Sequence, residues 1–298
     1  MSEPIRSAER SEQPARERSS YRERVVRLGS AKELAGILCE PALSPSLPRP
    51  VVVMWNVGLN HHVGPYRTFV DLSRKLAEVG FCSVRFDLSG LGDSEFAAGD
   101  ARADSERSVA DVRAVLEQLP ELTGSARAVL VGFCSSVDSA HAAALQDPKV
   151  VGIINIEGYS FPTLGFRLRY PLRFVSVSRW VRWAYHRRQR RLQSGSAHLA
   201  DDGEQAVYQR EYPTPGRLAS EYRRLVERGV RILCLYVRGD SNYVYKDQLF
   251  DFLGDRSLAS HIEVEYFPDA DHIFTFTKHR DRALSCIVNF VRERFSAE

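Results

Sequence analysis

The sequence predicts an α/β fold: a mostly parallel eight-stranded sheet with helices on both faces and an inserted helical lid. Three observations carry that reading. From about Tyr21 onward, short apolar runs alternate with segments of helical period, the pattern of repeated strand–helix units. Several of the runs are continuously apolar rather than alternating, as strands covered on both faces must be. One stretch, residues 160–229, breaks the rhythm with far more chain than a strand–helix connection needs.

ERVVRLG and ELAGILC read as an opening hairpin, followed by a turn-rich stretch with prolines at 41, 45, 48 and 50. VVVMWN at 51–56 is the first continuous strand. Tyr66, Phe69, Leu72, Leu76 and Val79 then recur at helical spacing, with Gly80 as a C-terminal stop. FCSVRFDL at 81–88 is a strand, and Val109, Val112, Val115, Leu116 and Leu119 mark a helix ending near Pro120. RAVLVGFC at 127–134, an Ala-rich helix, and VVGIINIEG at 150–158 follow. RILCLYVRGD at 231–240 and HIEVEYF at 261–267 complete the strands, and Leu284, Ile287, Val288 and Val291 define a last helix. The core is therefore expected over 21–160 and 230–298, with 161–229 as a lid above the C-terminal edge of the sheet, where open α/β folds bind ligands.

Composition narrows the function classes. Residues 1–20 are charged, lack an apolar segment and read as a disordered tail rather than a secretory signal. Lys+Arg 41 against Asp+Glu 38 is too balanced for a dedicated nucleic-acid binder. The cysteines at 39, 82, 134, 234 and 286 have no CxxC spacing and lie mostly in apolar runs. That argues for free thiols in a reducing, cytoplasmic setting, without structural zinc.

The chemistry concentrates in Gly132-Phe133-Cys134-Ser135-Ser136, at a strand-to-helix junction. A tight turn there needs small residues two before and two after the nucleophile. Gly132 and Ser136 meet this with Cys134 in the centre; centring on Ser135 would put Phe133 and Val137 at those positions. Asp240 ends a later strand, and His272 lies just past the next one, so nucleophile, acid and histidine converge on one sheet edge. Asp269 and Asp271 compete for the acid's role but lie very near His272 in sequence.

With WNVGLNHHVGP, RFDLSGLGDSE, GFCSS, the Asp240 strand end and ADHIF in view, the chain resembles the α/β-hydrolase superfamily. It is most similar to its serine-aminopeptidase-like branch and to hydrolases found beside exosortase genes. The resemblance covers about 22–160 and 230–295. It implies a Cys134–His272–Asp240 triad, with Cys where most members carry Ser, as in dienelactone hydrolases. It also implies an oxyanion hole from the backbone N–H groups of Ser135 and Leu59. The chain departs from the family in having Asn56-Val57-Gly58 where His-Gly is usual. A thiolate held by an imidazole attacks esters and thioesters readily and amides poorly, so (thio)ester hydrolysis through an acyl-enzyme is expected. Two alternatives stand beside it: transfer of a carrier-bound acyl group to an acceptor other than water, and a non-catalytic binding protein on the same fold.

Other signals are weaker. Ser89-Gly90-Leu91-Gly92-Asp93 lacks the third glycine of a dinucleotide loop, so no cofactor is expected. Asp87 is expected to cap the following turn. His61 and His62 are adjacent and expected to point apart; a place at the pocket entrance, beside Asn60, fits them better than a metal. The lid is rich in Arg, including Arg187 and Arg188, carries Trp180 and Trp183, and has no Asp or Glu from Ser160 to Ala200. That composition suits an anionic partner such as a carrier arm, an acidic glycan or a membrane surface.

Overall fold

The computed structural model describes residues 20–43, 48–58, 60–96, 100–170, 212–238 and 242–296. Eight strands form one sheet in the order β1-β2-β4-β3-β5-β6-β7-β8. They are β1 (Tyr21–Leu28), β2 (Leu34–Pro41), β3 (Val51–Trp55), β4 (Ser83–Phe86), β5 (Ala128–Phe133), β6 (Val150–Ile156), β7 (Arg231–Val237) and β8 (Ile262–Phe267). β1 and β2 form the antiparallel hairpin, β2 also pairs antiparallel with β4, and every other pairing is parallel.

The continuous apolar runs are explained by a core on each face of the sheet. Side chains alternate along a strand. Val51, Val53 and Trp55 of β3 accordingly join one cluster, while Val52 and Met54 join the other. On the first face pack α2 (Asp104–Thr123), α3 (Ser136–Gln146) and α5 (Pro215–Glu227). On the second lie α1 (Thr68–Glu78) and α7 (Thr277–Phe295). Two shorter helices, α4 (Leu164–Arg169) and α6 (Gln248–Leu253), lie on either side of α5 in the chain.

Two boundaries differ from the periodicity. α2 runs through Pro120 to Thr123 and stops at Gly124, whose φ of 76° provides the left-handed cap. A proline removes one helical hydrogen bond, and in the last turn that loss does not end the helix. Tyr66, expected on the first helix, precedes it with φ 49° and is exposed.

Within the expected lid, α4 is started by Thr163, whose Oγ1 accepts the Phe166 N–H at 3.0 Å. α5 starts at Thr214 and buries Leu218, Tyr222 and Leu225 in the core, so from Pro215 onward this stretch is core helix. Trp180, Trp183, Arg187 and Arg188 lie outside the described residues. Among the described residues no helix is long and apolar enough to cross a membrane.

Candidate active site

β5 and α3 meet in a turn that leaves no room for a side chain at Gly132 and holds a small one at Ser136. A Cβ on Gly132 would stand 2.6 Å from Val137 Cα, in backbone rather than in a movable side chain. Ser136 closes the turn: its hydroxyl accepts the Phe133 N–H at 2.7 Å and donates to the Phe133 carbonyl at 3.0 Å. Cys134, between them, has φ 54°, a left-handed conformation that costs a non-glycine residue roughly 1–3 kcal/mol. The turn thereby lifts the thiol clear of the sheet edge and places it at the N-terminus of α3.

The backbone ladder continues past the strand ends. Cys134 N–H donates to the Ile156 carbonyl at 2.8 Å, and Glu157 N–H to the Leu235 carbonyl at 2.9 Å. Glu157 follows β6, is buried and also has φ 54°. Its Oε1 accepts the Val237 N–H at 2.6 Å, which aims Oε2 at the loop after β8. There His272 Nδ1 lies 3.2 Å from Glu157 Oε2. The His272 ring also hydrogen-bonds Cys134. Phe274 anchors this loop: it is buried against Phe133 and Phe267, with ring centroids at 6.4 and 5.6 Å.

The hydrogen bonds to Cys134 and then Glu157 favour the imidazolium and outweigh burial, raising His272 to about 10. At neutral pH the ring is therefore protonated, set between the Cys134 thiol group and the Glu157 carboxyl group. The other thiols differ in kind. Burial pushes Cys39, Cys234 and Cys286 up to about 12 and Cys82 to about 11.

The structure thus brings Cys134 and His272 together, and among the described residues the carboxylate that meets the histidine is Glu157. Sequence reasoning missed Glu157. The available signal was a lone acid ending the apolar run VVGIINIEG, beside the nucleophile's strand. Asp240 lies outside the described residues. Asp271 serves its own loop by accepting the Thr275 N–H at 2.8 Å, and its bonds to Thr275 hold the carboxyl below its usual range despite burial.

The loop after β3 reaches the elbow from the other side. Ser135 Oγ accepts the Gly58 N–H at 3.0 Å. Ser135 N–H stands at the start of α3, where helix geometry supplies no intrahelical acceptor. Leu59 lies outside the described residues. Asn60 turns back on its own loop, its carbonyl accepting from Asn56 Nδ2 at 2.7 Å and its Nδ2 donating to the Val57 carbonyl at 3.0 Å.

Asp87 is the hub of this loop. Its Oδ1 accepts from the His62 N–H and from Asn56 Nδ2, both at 2.7 Å. Its Oδ2 meets His62 Nδ1 at 2.7 Å, Asp93 N–H at 3.0 Å and His61 Nε2 at 3.2 Å. Burial would raise this carboxyl, but the bonds from His62 and Asp93 hold it below the ordinary range. Asp87 does cap its turn through Asp93, and it also gathers the β3 loop. Gly92 comes so close to this carboxylate, with φ 54°, that a side chain there would collide with it. The expectation that His61 and His62 point apart fails. Their ring centroids are 3.8 Å apart, because both rings turn toward the Asp87 carboxylate.

A mostly parallel sheet with a left-handed cysteine at the β5–α3 turn and a histidine after β8 defines an α/β-hydrolase-type protein. The chain belongs to the α/β hydrolase family, which it matches over residues 52–284. No curated protein matches it in sequence. Among solved structures it is similar to an esterase of Pyrococcus furiosus, at 12% identity and TM-score 0.56, covering 92% of this chain and 90% of that one. It is also similar to an α/β serine hydrolase homologue from Coxiella burnetii (14% identity, TM-score 0.53, 90% and 96% covered). A third is a dienelactone-hydrolase-like promiscuous phosphotriesterase from metagenomic libraries (16% identity, TM-score 0.53, 93% and 99% covered). At these identities the likeness is one of fold.

Proposed function

We propose that the chain hydrolyses an ester or thioester through Cys134, His272 and Glu157. The observation that carries this reading is one imidazole bonded at once to the elbow thiol and to a buried carboxylate. His272 holds the proton and leaves Cys134 as thiolate, which the N-terminus of α3 further favours. The thiolate attacks the acyl carbon, and the developing oxyanion is met by the Ser135 N–H, a contact of about 3–4 kcal/mol in the transition state. His272 then protonates the leaving alcohol or thiol, giving an acyl-enzyme. In the second half-reaction it takes a proton from water as that water attacks the acyl carbon; the Cys134 Sγ–carbon bond then breaks, the carboxylic acid leaves, and the thiolate and imidazolium are restored. Glu157 keeps Nδ1 protonated throughout, so Nε2 always faces the reacting atoms.

The test is intact mass after mixing the protein with short-chain acyl-thioesters and activated esters. The acyl adduct is expected on Cys134 and absent from Cys134→Ala, and it should decay in water. Labelling at another cysteine, or none on any substrate of either class, overturns the reading. Decay that requires an added acceptor would favour acyl transfer instead.

A further inference from the structure

The structure assigns a second site to the loops after β3 and β4: we propose that His61, His62, Asp87 and Asp93 bind a single divalent transition-metal ion of the zinc class. One ligand atom from each of these side chains lies within 4.8 Å of all the others. Two imidazoles and two carboxylates form a donor set suited to a borderline ion in four-coordinate geometry.

The arrangement around the cluster resembles ligand support more than a chance gathering of charge. Asp87 has its Oδ1 occupied by the His62 N–H and by Asn56 Nδ2, which aims Oδ2 at the two rings. Such outer partners are what fix a ligating carboxylate in place. His62 and Asp87 are buried, while His61 and Asp93 are open to solvent, so the site has a rigid floor and an accessible mouth. His61 Nε2 lies 2.9 Å from Asp93 Oδ2 and 3.2 Å from Asp87 Oδ2, and His62 Nδ1 lies 2.7 Å from Asp87 Oδ2. An ion about 2.0–2.1 Å from each ligand separates neighbouring ligand atoms by about 3.4 Å. Binding would therefore move these three contacts apart by less than an ångström each, and each ring would turn an unprotonated nitrogen to the ion. The ion would clamp the β3 loop to the β4 loop, and the β3 loop touches the elbow through Gly58 and Ser135. This inference stands on its own donor set and does not depend on the proposed reaction.

The experiment uses the tag-free chain carrying Cys134→Ala, so that the elbow thiol cannot hold metal. Zinc is titrated into metal-stripped protein in competition with a chromogenic chelator, and cobalt substitution reports coordination number by its visible absorption. One equivalent of zinc and a four-coordinate cobalt spectrum are expected. His61→Gln and Asp93→Asn, each at a solvent-open position, should weaken binding by at least roughly 100-fold. Absence of stoichiometric binding would overturn the site and leave the cluster a hydrogen-bonded loop clamp. So would binding unchanged in both variants, or binding seen only when Cys134 is restored.

Discussion

Among the described residues two histidines point Nδ1 at a buried carboxylate, yet their surroundings differ. His62 meets Asp87 at 2.7 Å and is itself buried. His272 meets Glu157 at 3.2 Å and is partly open, with its ring also bonded to a thiol. Asp87 is surrounded: two backbone N–H groups, one amide and two imidazoles converge on it. Glu157 takes one backbone N–H and one imidazole. A carboxylate met by five donors is fixed by the loops that it joins, whereas one with a single side-chain partner is placed to orient that partner's proton. The same pair of residue types thus sits in a loop hub at the ends of β3 and β4, and beside the elbow cysteine at the ends of β5, β6 and β8.

The comparison is tested most directly by removing each acid's charge. Glu157→Gln keeps an acceptor for the Val237 N–H but turns an amide N–H toward His272 Nδ1. That forces the other tautomer, with its proton facing the thiol. In serine triads the corresponding change costs about 10⁴ in turnover. A thiol needs less help from its base, so a loss on the order of 10²–10³ is expected here. The melting temperature should move little. Asp240→Asn, made in parallel, should lose less; if it proves the more damaging, the histidine takes its orientation from the end of β7 and Glu157 is structural.

Asp87→Asn should show the opposite balance. An amide nitrogen at Oδ2 would face Asp93 N–H and two rings, leaving buried donors opposed. Disrupting such a buried charged network costs roughly 3–5 kcal/mol. Chemical denaturation should show that loss for Asp87→Asn and a much smaller one for Glu157→Gln. Equal destabilisation by both would erase the distinction between them.

The contrast also explains what could be read from the sequence. The central strands announced themselves because two covered faces demand a continuous apolar run, as in VVVMW of β3. The elbow is a local device, and its need for small flanking residues is written within five positions. Glu157 is different. Its role depends on β7 offering the Val237 N–H, and on a histidine 115 residues further along arriving beside it. No spacing encodes that. The Asp87 hub escaped for the same reason: its donors come from two loops that only the β3–β4 pairing brings together. The core role of α5 is a milder case, visible in Leu218, Tyr222 and Leu225 once the preceding stretch is not assumed to continue as lid.

The smallest expected effect is in the pH dependence of stability. His272 rises from 6.5 to about 10 through its bonds to Cys134 and Glu157. A group whose pKa is raised by folding binds its proton more tightly in the native state, so its contribution is complete below about 6.5 and fades as pH climbs through about 10. The other thiols confuse a simple pH scan, because the buried Cys39 and Cys234 and the half-buried Cys82 and Cys286 are also held protonated by the fold, and their contributions fall as the medium becomes alkaline. Those contributions are common to the wild type and to His272→Gln, so they cancel in the difference between the two. Unfolding free energies of both proteins, measured by urea titration from pH 6 to about 10.5, should give a difference that is largest at the acid end, near pH 6, and shrinks steadily toward the alkaline end. A difference that stays constant across the range would mean that His272 exchanges its proton no more tightly in the folded protein than in the unfolded chain. The imidazolium between Cys134 and Glu157 would then have to be abandoned, and His272 would join His62 as an architectural residue.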